Sequence, residues 1–170
     1  IVAAAAGMVA GAVTGFLHTV FEIPAILAGI LTQIGLWSIN LRIMGGKSNV
    51  PLLKTDTIFS RIIGWTGINK QVASLLLGVG VAIVMIAFLY WFFGTEIGSA
   101  MRATGNNEAM IRAQGVNTNW TKLLALTISN GLVGLSGGLV CQSQKYADIG
   151  MGTGAIVIGL AAIVIGDVLM

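Results

Sequence analysis

Residues 71–95 read QVASLLLGVGVAIVMIAFLYWFFGT, a stretch without one Asp, Glu, Lys or Arg. A helix needs roughly 20 residues to cross a 30 Å hydrocarbon core, and this stretch exceeds that. A charge at the bilayer centre costs about 2.5–3.5 kcal/mol on insertion scales, so a long charge-free run identifies a transmembrane helix.

Four further charge-free stretches surround it, at 1–21, 23–41, 123–144 and 149–166. The whole chain of 170 residues is 56% hydrophobic and 9% charged, against about 25% charged in a soluble domain. Six acidic and nine basic side chains cannot coat a soluble globule of this size. The expected fold class is therefore all-α: a polytopic α-helical membrane protein with five transmembrane or re-entrant segments.

Two of the five stretches carry an alternative. Stretch 23–41 has Pro24 in a place that suits a first helical position, but Thr32, Gln33, Ser38 and Asn40 make it polar for a lipid-facing span. Stretch 149–166 is short, opens with Gly150, Gly152 and Gly154, and runs into Asp167. It reads as a span, or as a half-helix or re-entrant segment buried by protein. The chain begins at Ile1 and stops at Met170 inside an apolar run, so the expectation is a single membrane domain over 1–170, truncated at both ends. The first stretch is too long for a signal peptide and lacks a basic start.

Glycine occupies 24 positions, which in so apolar a chain points to closely packed helices. Gly7, Gly11 and Gly15 form one ridge at helical spacing, and Ala155, Gly159, Ala162 and Gly166 form another. Packing alone accounts for such ridges.

Other functions find no support. The net charge is +3, but the Lys and Arg residues are spread from Arg42 to Lys145 with no run, which argues against nucleic-acid binding. Cys141 is the single cysteine and His18 the single histidine. Neither has metal-ligand spacing around it, so no metal, no cofactor and no redox chemistry is expected. With no catalytic constellation, the chain does not read as an enzyme.

Two connections hold most of the charge. In 42–70, the segment 51–63 places Leu52, Phe59 and Ile63 on one face with Lys54 and Arg61 opposite, the pattern of a helix lying on the membrane surface. In 96–122, Asn106 or Asn107 can cap a short helix of about two turns, with Glu108 in its first turn and Arg112 four residues later. Gly115 supplies a left-handed stop. So short a helix is unstable alone in water, so it is expected to pack against something. An ordinary connecting helix resting on its own bundle is the plainer reading.

At this connection the sequence resembles a known family. GTEIGSAMRATGNNEAMIRAQGVNT (94–118) is similar to the cytoplasmic loop of ATP-binding-cassette (ABC) importer permeases of the ribose and branched-chain amino acid type. There a G-N-x-x-A-A-x-x-x-G-I pattern forms the coupling helix that docks on the ATPase subunit. Gly105, Asn106 and Ala109 fall on it in register and Met110 replaces the second alanine, while Gly115 and Val116 stand for its closing G-I one residue later, with valine for the usual isoleucine. FEIPAILAGILTQIGLW (21–37), LTISNGLVGLSGGLVCQ (126–142) and GTGAIVIGLAAIVIGD (152–167) resemble further parts of the same permeases. The nearest resemblance is to the uncharacterised and aromatic-amino-acid branch, of tryptophan type.

The resemblance implies a permease subunit in the plasma (inner) membrane that moves a small solute, an amino acid or related compound. It implies cytoplasmic ABC ATPase subunits, an extracytoplasmic solute-binding protein and a second permease copy as partners, besides the lipid bilayer. It makes 96–116 the cytoplasmic coupling loop, with Gly105, Asn106, Asn107, Glu108, Ala109, Met110, Arg112 and Gly115 carrying the ATPase contact. The chain has no G-x-x-x-x-G-K-[ST] loop, in keeping with nucleotide binding by a separate subunit.

The charge count opposes the implied orientation. If all five stretches cross, 42–70 and 145–148 share one side with six Lys and Arg, against three on the side of the coupling loop. The positive-inside rule then puts the coupling loop outside; the motif puts it inside, and we follow the motif. Gln33, Asn40, Ser129, Asn130 and Gln142 are polar side chains within the stretches and candidates for a translocation path, with interhelical hydrogen bonding as the alternative. A competing class is a secondary transporter or channel with His18 or Asp167 as its ion site.

Overall fold

Residues 1–52 and 70–169 are described by a computed structural model. The helices are α1 (Val2–Val20), α2 (Ala25–Ile43), α3 (Lys70–Phe93), α4 (Glu96–Asn106), α5 (Glu108–Ala113), α6 (Thr118–Gln144) and α7 (Ala155–Leu169). Two short strands, β1 (Asn49–Pro51) and β2 (Tyr146–Asp148), complete the set. Among the described residues, four helical segments are long and apolar enough to cross a membrane: Val2–Val20, Ala25–Ile43, Ser74–Phe93 and Thr118–Gln144. Stretch 23–41 is thus a long helix despite its polar residues, with Pro24 one residue earlier than expected, at the N-cap. Helix α7 has 15 residues, short of the roughly 20 that span a bilayer core. The surface helix expected over 51–63 lies outside the described residues from position 53 onward.

The centre of the fold is the antiparallel pair α1 and α6. A Cβ at Gly7 would strike the Asn130 carbonyl oxygen, and one at Gly11 would sit 2.8 Å from Asn130 Cβ and 2.9 Å from Thr127 Cα. From the other side, a Cβ at Gly131 would meet Met8 Cγ at 2.6 Å, and one at Gly138 would meet Ala3 Cβ at 2.9 Å. Glycines on both helices therefore let backbone approach backbone, which is how helices associate where hydrocarbon surrounds them and apolar side chains gain nothing by hiding. The expected first ridge is engaged. Among the described residues, no other element lies within 4 Å of a Cβ position at Gly159 or Gly166 of the second ridge.

Helix α2 packs back on α1, with Ala28 buried and Thr14 Oγ1 reaching Thr32 Oγ1 at 2.9 Å. Large apolar side chains such as Val9, Ile34, Leu75, Ile86 and Val133 point outward, as a lipid solvent allows.

The all-α expectation omitted one feature. β1 and β2 pair antiparallel, Asn49 opposite Asp148 and Pro51 opposite Tyr146. Flanking bonds extend the ribbon: Leu52 N–H to the Lys145 carbonyl at 2.8 Å and Ile149 N–H to the Ser48 carbonyl at 3.0 Å. The ribbon ties the end of α2 to the end of α6, so residues 48–52 meet residues 145–149 at one end of the bundle. Near that end Ser74 Oγ on α3 contacts Ser143 Oγ on α6 at 3.1 Å. The α3–α6 connector lies at the other end, beside the start of α6.

Candidate functional site: the connector between the long helices

Three capped corners build the connector. Thr95 Oγ1 accepts from Gly98 N–H at 3.3 Å and donates to the Phe92 carbonyl at 2.6 Å, which turns the chain from α3 into α4. Gly98 lies so close to the end of α3 that a Cβ there would sit 2.6 Å from Phe93 Cα. Next, Asn107 Oδ1 accepts from Met110 N–H at 3.0 Å and caps α5. Finally Asn117 Oδ1 accepts from Asn119 and Trp120 N–H at 3.1 and 3.3 Å and starts α6. Each cap satisfies amide donors that the first helical turn leaves open.

The expected short helix is present, with two corrections. Its cap is Asn107; Asn106 is the last residue of α4, an 11-residue helix that the sequence pattern did not reveal. Helix α5 itself has six residues, fewer than two turns. Its stop is as expected: Gly115 has φ +88°, and Val116 N–H returns to the Ile111 carbonyl at 3.3 Å. Ile111 is buried and anchors α5 on its own protein.

Glu108 and Arg112 do form an i,i+4 pair, 3.0 Å apart, but it belongs to a larger cluster. Thr118 Oγ1 donates to Glu108 Oε1 at 3.0 Å and accepts from Arg112 Nε at 3.2 Å and Nη2 at 2.9 Å. Lys122 Nζ lies 2.6 Å from Glu108 Oε2. The Lys122 and Thr118 hydrogen bonds, aided by the charges of Lys122 and Arg112, hold the Glu108 carboxyl below its ordinary range against a smaller opposing effect of desolvation. A second cluster sits beside it, where Thr104 Oγ1 and Thr121 Oγ1 lie 3.1 Å apart in a buried contact between α4 and α6. Sequence reasoning missed Thr118, Lys122, Thr104 and Thr121. The available signal was the Asn117 cap, which sets Thr118 and Lys122 one turn apart on the face of α6 next to the connector.

The opposite face of the connector is open. Gly105, Asn106, Ala109 and Met110 are exposed. So α5 has an inner side of ion pairs and hydroxyls bound to α6, and an outer side of small and apolar groups.

The candidate path residues are not gathered at one point. Gln33 and Asn40 are exposed on α2, and Ser129 is exposed on α6. Asn130 Nδ2 donates to the Leu126 carbonyl at 2.9 Å, within the α1–α6 contact. Gln142 is half-buried near the end of α6. His18 Nδ1 is 2.7 Å from the Ile23 carbonyl; a carbonyl only accepts, so this nitrogen carries a proton and clips the α1–α2 turn. The side chain of Asp167 lies outside those described. Among the described residues no group of three or more His, Cys, Asp or Glu is placed to hold a metal.

Comparison with known proteins agrees with this architecture. Residues 1–168 match the family model described as branched-chain amino acid transport system / permease component. The chain is 40% identical over 160 residues to the tyrosine transport system permease protein of Clostridioides difficile (strain R20291), covering 94% of this chain and 51% of that one. It is 27% identical over 164 residues to the ribose import permease protein of Escherichia coli (strain K12), covering 96% and 50%. An autoinducer 2 import system permease protein of Yersinia pseudotuberculosis (serotype O:1b, strain IP 31758) is 31% identical over 172 residues, covering 95% and 44%. The chain thus spans about half the length of the curated relatives it matches. No solved structure matches it. Long apolar helices, glycine-packed spans and a family match over nearly the whole chain lead to one conclusion: this is a membrane-spanning chain of the branched-chain amino acid transport system permease family, the ABC importer permeases.

Proposed function

We propose that the chain forms part of the membrane-embedded core of an ABC importer permease in the plasma membrane, working as one of two permease copies with cytoplasmic ATPase subunits and an extracytoplasmic binding protein. The single observation that carries this reading is the two-sided α5. Its inner side is bound to α6, while Ala109 and Met110 are exposed for a partner. In this reading residues 96–116 are the coupling loop, with Gly105, Asn106, Asn107, Glu108, Ala109, Met110, Arg112 and Gly115 forming or shaping the ATPase contact. The connector end faces the cytoplasm and the ribbon end faces outward, although by sequence six of the nine Lys and Arg fall in connections 42–70 and 145–148.

ATP-driven closure of the ATPase pair pushes the docked α5, and the push switches the bundle between two packings that open to opposite sides. The solute is proposed to be an aromatic amino acid, supported by the tyrosine transport system relative. The test uses the full-length permease co-expressed with its ATPase and binding protein. Met110→Glu places a charge on the apolar docking face, and both ATPase co-purification and tyrosine uptake are expected to fall at least tenfold. Retention of both overturns the reading. Uptake that stops when the membrane is uncoupled with ATP maintained identifies a secondary transporter instead.

A further inference from the structure

We propose that Thr118 and Lys122 are positioning residues that latch the coupling helix to the transmembrane bundle, so that movement of α5 is delivered to α6 instead of being absorbed in the connector. The proposal rests on the importer reading above and adds residues that the coupling motif does not contain.

Six residues form no stable helix alone, and the backbone leaves α5 through Gly115, in a left-handed conformation, before reaching the Asn117 cap. A push on α5 carried only by that link would bend the link. Side-chain bonds bypass it. Both oxygens of Glu108 are held by α6, Oε1 by Thr118 at 3.0 Å and Oε2 by Lys122 at 2.6 Å. The Thr118 hydroxyl uses its one proton on Glu108 and accepts both bonds from Arg112.

Exposure decides how much this cluster can bear. The Arg112 side chain is 63% exposed, and its pair with Glu108 taken alone is a weak surface ion pair. Thr118 is 1% exposed, so the hydroxyl at the centre is shielded from water, where hydrogen bonds are stronger and an unmade one is more costly. Beyond the latch, the glycine contacts join α6 to α1 at backbone distance. Latch and glycine contact together make α5, α6 and α1 one lever.

The experiment uses the full-length permease assembled with its ATPase and binding protein in proteoliposomes. Lys122→Met and Thr118→Val remove the latch; Lys122→Arg and Thr118→Ser keep the charge and the hydroxyl. Two readouts are taken: uptake of labelled tyrosine per ATP hydrolysed, and the ATP-dependent change in maleimide labelling of Cys141, farther along α6, which needs no solute. In the first pair the ATPase is expected to stay bound with hydrolysis within about twofold, while the uptake ratio and the Cys141 response each fall roughly tenfold. The second pair is expected to regain most of both. An unchanged ratio and Cys141 response in Lys122→Met and Thr118→Val overturn the latch alone. Loss of ATPase binding in those variants also overturns it, because they would then act on docking. An unaltered complex that binds no ATPase overturns the importer reading itself.

Discussion

The hydroxyl oxygens of Thr104 on α4 and Thr121 on α6 lie 3.1 Å apart in a buried contact. Thr104 Oγ1 is also 2.7 Å from the Ala100 carbonyl, and Thr121 Oγ1 is 2.9 Å from the Thr118 carbonyl. Two hydroxyl protons therefore serve three contacts, and one contact lacks a proton at any instant. Thr104→Val keeps the shape and leaves Thr121 its carbonyl partner, so a loss of only about 1 kcal/mol is expected. Thr118→Val is expected to lower stability more, since Glu108 and Arg112 both lose a partner. Thermal unfolding of the purified protein in detergent ranks the two.

The α1–α6 contact predicts a contrast between glycines. Gly11→Ala drives a methyl to 2.8 Å from Asn130 Cβ and 2.9 Å from Thr127 Cα, and backbone cannot yield cheaply. Overpacking of this kind costs about 1–3 kcal/mol. Gly29→Ala on α2 meets nothing within 4 Å among the described residues and is expected to be neutral or to stabilise by up to about 1 kcal/mol through helix propensity. Unfolding midpoints in denaturant at constant detergent measure both.

Gly115 and Gly105 form a second contrast. Among the described residues both have open space at the Cβ position, but of the two only Gly115 has a positive φ, +88°. Gly115→Ala is expected to cost about 1–2 kcal/mol through left-handed strain and to expose the α5 amides to faster hydrogen exchange. Gly105→Ala is expected to leave that exchange unchanged.

Acid should release α5. Hydrogen bonds from Lys122 and Thr118 lower the Glu108 carboxyl below its ordinary value of 4.5. A depressed carboxyl stabilises fully above its unfolded value, and the contribution is lost as the pH falls through the folded value. Connector protection is therefore expected to be flat from neutral pH down to about 4.5 and to decline below it. Glu108→Gln should lower protection at neutral pH and flatten the acid decline, measured by limited proteolysis across the pH series.

Much of the connector was legible because its signals are local. A cap, a first-turn acid and a left-handed glycine act locally, so an Asn at 106 or 107, Glu108 and Gly115 announce α5 from their spacing, while the structure chose Asn107 as the cap. Helix α4 escaped notice because EIGSAMRATGN carries no apolar periodicity long enough to mark a helix; it forms because Gly98 admits the end of α3 and Thr104 reaches α6. The β-ribbon was equally invisible, since Asn49 and Asp148 are 99 residues apart and their strands have three residues each.

By itself the sequence determined the solvent of this protein. A charge-free apolar run as long as 71–95 is costly to leave in water and favourable to place in hydrocarbon, so the membrane, the long helices and their approximate limits follow from composition. Tertiary structure alone decided which glycines touch, which end of the bundle gathers the ribbon, and that the Glu108–Arg112 pair is completed by Thr118 and Lys122. The physical reason is range. Hydropathy and capping are properties of neighbouring residues, whereas backbone contact, strand pairing and a shared carboxylate depend on how separate elements pack: α1 on α6, β1 on β2 and α5 on α6.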